Sequence, residues 1–160
     1  MSSRKLIVGL TIVSILCALA VMIFHESSRL FFEESMPVEF KIADTLLSHE
    51  EIACGLAIFK ISDSTVSRIN SERLKFFENA TKARILHKYG NNHYSAWSET
   101  PVPEGWYNEG SWFYCGEHEL LGSIITAGKK TGSYYSASVN GETKIIVVPS
   151  LGVIVYSYFD

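Results

Sequence analysis

The sequence predicts an α+β domain carried on a single N-terminal transmembrane helix. The domain is expected to hold an antiparallel sheet of three to four strands, ending in a C-terminal β-meander, with two or three helices packed on one face. Three observations predict it. Residues 6–24 read LIVGLTIVSILCALAVMIF, 19 residues without a formal charge. Residues 64–84 place Val66, Ile69, Arg73, Phe76, Phe77 and Ala80 at spacings of three and four, the period of a half-buried helix. Residues 133–159 read as short strands divided by the turn signals Asn140-Gly141 and Pro149-Ser150-Leu151-Gly152.

Composition bounds the function classes. A chain of 160 residues with 47% hydrophobic and 19% charged residues has room for one core and lacks the signature of disorder. Its 14 Lys plus Arg against 17 Asp plus Glu leave a formal net charge of -3, so no broad basic surface is available to a phosphate backbone. Nucleic acid is not an expected partner, and no cofactor motif is present: GxSxG and GxGxxG are absent, and Gly122–Thr131 lacks the glycine spacing of a phosphate loop.

As a helix, residues 6–24 would be roughly 28 Å long, close to the hydrocarbon thickness of a bilayer. Arg4 and Lys5 precede the block, and the positive-inside rule then places residues 1–5 in the cytoplasm. Residues 25–37 become a juxtamembrane linker, with Leu30-Phe31-Phe32 at the lipid headgroups, and 38–160 an extracytoplasmic domain, periplasmic if the cell is bacterial. The alternative is a secreted protein, released by cleavage after Ala18-Leu19-Ala20. Val21-Met22-Ile23-Phe24 prolongs the apolar run beyond that point, as an anchor requires and a cleavage site does not.

Cys17 lies inside the apolar block, which leaves Cys54 and Cys115 as an even pair on the side expected to be oxidising. One disulfide between them is expected. The competing reading is a buried free thiol at Cys54 with Cys115 separate.

Val38 to Leu47 fits both periods, and the placement of Phe40, Ala43, Leu46 and Leu47 on one face favours helix. Gly55–Ile61 is an apolar run ahead of Ser62-Asp63-Ser64, a buried strand running into a helix N-cap. The helix over 64–84 follows. A second helix is expected over 117–128, with Glu117 and Glu119 in its first turn and Lys129-Lys130 at its end, matching the macrodipole.

The segment Tyr89–Tyr114 is the unusual one. It contains all three Trp (Trp97, Trp106, Trp112), together with Tyr89, Tyr94, Tyr107, Phe113 and Tyr114, and no Lys or Arg. Flat apolar rings beside hydrogen-bonding groups suit a sugar ring or a peptide. Trp97, Trp106, Tyr107, Trp112 and Tyr94 are therefore the candidate ligand-binding residues for a protein partner or an envelope glycan. The bland alternative folds the rings inward over the sheet. Lys60–Lys88 carries seven bases to three acids and Tyr89–Gly128 carries five acids and no base, so the two segments are expected to lie near each other.

The function expected from this pattern is a membrane-anchored binding or accessory module, partnered by the lipid bilayer through residues 6–24. A small envelope hydrolase built on His93, His118 and Glu117, with or without a metal, is the second reading. His49-Glu50 and His118-Glu119 each lack the second His of the zinc-protease HExxH motif. A structural subunit of a membrane complex is the third.

Overall fold

A computed structural model describes residues 3–85, 93–107 and 115–159. The first element, α1 (Ser3–Ser35), is one helix of 33 residues. It is the only helix among the described residues long and apolar enough to cross a membrane, and from Leu10 to Phe24 nothing in the protein covers it. The expected linker over 25–37 is not one. α1 continues unbroken through residue 35 and turns a face of Ser28, Phe31, Phe32 and Ser35 onto the domain, at the spacing of a packed helix. Phe32 is 0% exposed, so it belongs to the core, and Leu30 alone of the Leu30-Phe31-Phe32 triplet faces outward, 41% exposed.

Beyond α1 come β1 (Ile42–Glu50), β2 (Cys54–Ile61), α2 (Asp63–Glu72), a 3₁₀ turn over Arg73–Phe77, β3 (Ser98–Glu99), α3 (Leu121–Gly128), β4 (Tyr134–Ala137), β5 (Thr143–Val148) and β6 (Val153–Phe159). The strands form one sheet in the order β1-β2-β6-β5-β4-β3, every neighbour antiparallel. The α+β plan and the meander agree with expectation; six strands replace three or four.

The difference has local causes. From Ile42 on, the stretch expected as helix is strand β1, whose pairing with β2 shifts register between Ile42 and Asp44 and again between Thr45 and Leu47. Each irregularity breaks the period-two alternation by which a strand is read. β3 is two residues long, below any periodicity.

The expectation of helices on one face fails as well. Along β2, β5 and β6 side chains alternate between two cores: Ala57, Phe59, Ile145, Val147, Ile154 and Tyr156 on one face, and Leu56, Ile58, Ile146, Val148, Val153 and Val155 on the other. α1, α2 and the 3₁₀ turn cover the first face, and α3 covers the second. A strand buried on both sides needs no polar alternation, which is why β5 reads TKIIVV and β6 begins VIVY.

Ser62 caps α2 as expected, accepting from the Thr65 amide at 3.3 Å. The helix stops at Glu72, short of residue 84, because Arg73 takes φ 55. Phe76, Phe77 and Ala80 nevertheless reach the same core, so the helical spacing persists through a segment that is not α-helical. α3 starts at Leu121, leaving Glu117 and Glu119 ahead of its first turn.

The C-terminal carbonyls of α1 have no partners within the helix and find them elsewhere. The amides of Arg84 and Ile85 donate to Met36 and Glu34 at 2.9 and 3.2 Å, and the Tyr94 hydroxyl donates to the Ser35 carbonyl. Arg84 also pairs with Glu33 at 3.0 Å and donates to the Phe40 carbonyl, which brings a cation to the negative end of the helix dipole. Gly55 makes the docking possible, since a Cβ there would come within 2.8 Å of the Phe32 ring.

Candidate functional site

The described part of the aromatic segment divides between the two faces of the sheet. Tyr94 and Trp97 go to the α1 face. The Trp97 ring lies 4.7 Å from Phe77 and 5.5 Å from Phe40, and its Nε1 donates to the Ala80 carbonyl at 2.7 Å. Burial among Tyr156 and the last turn of α1 raises the ionisation of the Tyr94 phenol far above its ordinary range. Both rings are core, though Trp97 also helps to line a surface pocket of about 380 Å³ with Leu74, Lys75, Glu78 and Ala96. Trp112 lies outside the described residues, as do Tyr89, Phe113 and Tyr114.

Trp106 and Tyr107 lie on the α3 face. Trp106 is half-buried, edge-on to Tyr135 at 4.8 Å, with the Lys144 ammonium 5.3 Å from its ring centre and donating to its carbonyl at 2.9 Å. Tyr107 is buried against Gly128, where an added methyl would overlap its hydroxyl. Glycine at 128 thus serves the approach of Tyr107, a role the sequence does not announce. Between these rings and α3 opens a cleft of about 300 Å³, walled by Val102, Pro103 and Trp106, with Glu104 and Lys129 at its lip. It offers an apolar wall beside one acid and one base, the mixture that orients a sugar or a peptide.

A larger groove of about 620 Å³ runs between α3 and the β5–β6 turn, lined by Ser123, Thr126, Lys130, Ser150 and Leu151. Sequence reading missed it. Its floor is made of small residues, Gly122, Ala127 and Gly132, which give no periodic signal.

Cys54 and Cys115 are bonded, with an S–S distance of 2.07 Å and a sequence separation of 61. Such a bond persists in an oxidising compartment. It ties the start of β2 to the stretch preceding α3, and both cysteines are buried in the second core. The expected proximity of basic and acidic segments is realised by Arg73 and Glu99, 2.9 Å apart, with Arg73 exposed and Glu99 half-buried.

The catalytic trio of the second reading is not assembled. His93 forms an isolated backbone bridge with Lys82, next to Tyr94 of the first core, whereas His118 accepts from the Leu120 amide at 3.2 Å just ahead of α3, on the other face. Among the described residues no three His, Cys, Asp or Glu side chains gather as metal ligands.

No protein-family model, curated protein or solved structure matches the chain.

Burial pushes the Tyr107 hydroxyl from its ordinary value of 10 up to about 12. A group that ionises later in the folded than in the unfolded chain contributes stability fully below pH 10 and loses it as pH rises from 10 to about 12. Tyr94, Tyr134 and Tyr156 shift in the same direction. Denaturant unfolding is therefore expected to weaken above pH 10, and Tyr107→Phe should flatten part of that fall. An identical alkaline slope in the variant would contradict the assignment.

Proposed function

We propose that the protein is a single-pass membrane protein whose extracytoplasmic domain is a binding or accessory module for a protein partner or an envelope glycan. The observation that carries the reading is the cleft beside Trp106 and Tyr107, where the aromatic segment offers apolar surface and a charged lip together. The anchor is supported by α1, which passes through Ala18-Leu19-Ala20 as continuous helix and is apolar and uncovered on its membrane side. The disulfide supports delivery of the domain to an oxidising space, in line with the basic residues Arg4 and Lys5 ahead of the span. Separation of His93 from His118 gives the hydrolase reading no comparable support.

Site-specific photocrosslinking in cells tests it. A diazirine side chain replacing the exposed Glu104 at the cleft lip is expected to give one dominant adduct, whether protein or glycan. The same group replacing Asp44, exposed on the edge strand β1, serves as the control. Equal adduct patterns at the two positions would remove the cleft as the binding site.

A further inference from the structure

The β1–β2 hairpin ends on an apolar side chain that no described residue covers. Ile52, at its tip, is completely exposed, and Phe159, whose register partner is Cys54, is 53% exposed at the same end of the sheet. α1 is bound to this end. The Ser28 hydroxyl donates to the Glu50 carboxylate at 2.7 Å, and the Tyr158 hydroxyl donates to the same carboxylate at 2.9 Å. Four residues further along α1, Phe32 packs on Tyr158 and on Tyr156, and Ser35 accepts from Tyr94. The helix thus moves into the sheet as it leaves Ser28, and its apolar half departs from the hairpin end.

Depth follows from helix geometry. Ser28 is four residues past Phe24, the last residue of the apolar block, about 6 Å at 1.5 Å per residue. The headgroup layer extends about 5–7 Å beyond the hydrocarbon on each side of a bilayer. Glu50 shares the level of Ser28, and Ile52 lies two residues on. From these distances we infer that the hairpin tip is a second membrane contact, with Ile52 seated among the lipid headgroups beside the point where α1 emerges. This rests on the reading of α1 as a membrane anchor.

The chemistry selects a zwitterionic surface. Residues 50–54 read EEIAC, two acids and no base, with Glu51 paired to His49 at 3.2 Å, so anionic lipid gains nothing there. Ile52 with the half-exposed Phe159 is an apolar patch small enough for the headgroup layer to accommodate, whereas a protein partner needs a wider one.

The test uses the full chain in phosphatidylcholine vesicles, with a photoreactive phenylalanine replacing Ile15, Ile52 or Leu151 in turn. Leu151 lies in the β5–β6 turn at the opposite end of the sheet and serves as the control. Lipid adducts are expected at 15 and 52, with the yield at 52 about tenfold above that at 151, the preference a large apolar side chain has for an apolar medium. Lipid adducts at 15 but none above background at 52 would overturn the inference and leave the anchor standing. Adducts at all three positions alike, or protein adducts in place of lipid at 52, would overturn it as well. No lipid adduct at 15 would overturn the anchor itself, and the hairpin contact with it.

Discussion

A chain with Cys54 and Cys115 both replaced by alanine is expected to lose about 4 kcal/mol of stability, the loop-closure entropy of a cross-link spanning 61 residues. The bond closes a loop containing β2, α2, β3 and the whole aromatic segment, so its loss enlarges the unfolded ensemble over more than a third of the chain. Alanine is the right replacement because both positions are buried and a serine hydroxyl would add its own desolvation cost. Denaturant unfolding of the full chain in detergent, followed by tryptophan fluorescence, reads the effect. A small domain retains about 5–15 kcal/mol in total, so the variant should be visibly fragile at physiological temperature. A change under about 1 kcal/mol would mean that the unfolded chain keeps the two segments close without the bond.

Truncation of Phe32 to alanine is the second large effect, about 3–5 kcal/mol by comparison with buried aromatic deletions elsewhere. The ring touches Phe31, Tyr156 and Tyr158 at centroid distances of 5.7 to 6.1 Å, and it fills the space left by Gly55. Its neighbour Leu30 faces away, and Leu30→Ala should stay within about 0.5 kcal/mol of the native chain. The contrast separates the docked face of α1 from its outer face. Equal losses from the two substitutions would mean that α1 does not pack as described, whereas loss confined to Phe32 ties the helix to the sheet.

What the sequence made legible was local. Asn140-Gly141 lies between β4 and β5 with Gly141 at φ +81, and Ser62 caps α2, because each depends on a few adjacent residues. The disulfide was legible by elimination once Cys17 fell within the apolar block. The illegible parts are those in which one segment answers to another far along the chain. β1 becomes a strand through its pairing with β2, and its irregular register hides the alternation. The direction in which Tyr94 and Trp97 point is set by Ser35, Ala80 and Phe77, none of which is adjacent in sequence. Counting rings therefore identified a distinctive segment without revealing that its described part is shared between two cores, with Trp106 walling a cleft on one face and Trp97 helping to line a pocket on the other.

The unbroken course of α1 carries a mechanical consequence. With no glycine, proline or loop between Val21 and the buried Phe32, the span and the sheet are expected to turn together as a lever and its load. A bilayer thinner than the apolar block makes such a helix lean. The lean would be handed to the domain undiminished, rotating the cleft beside Trp106 relative to the membrane plane, so local lipid thickness would govern which way that cleft faces.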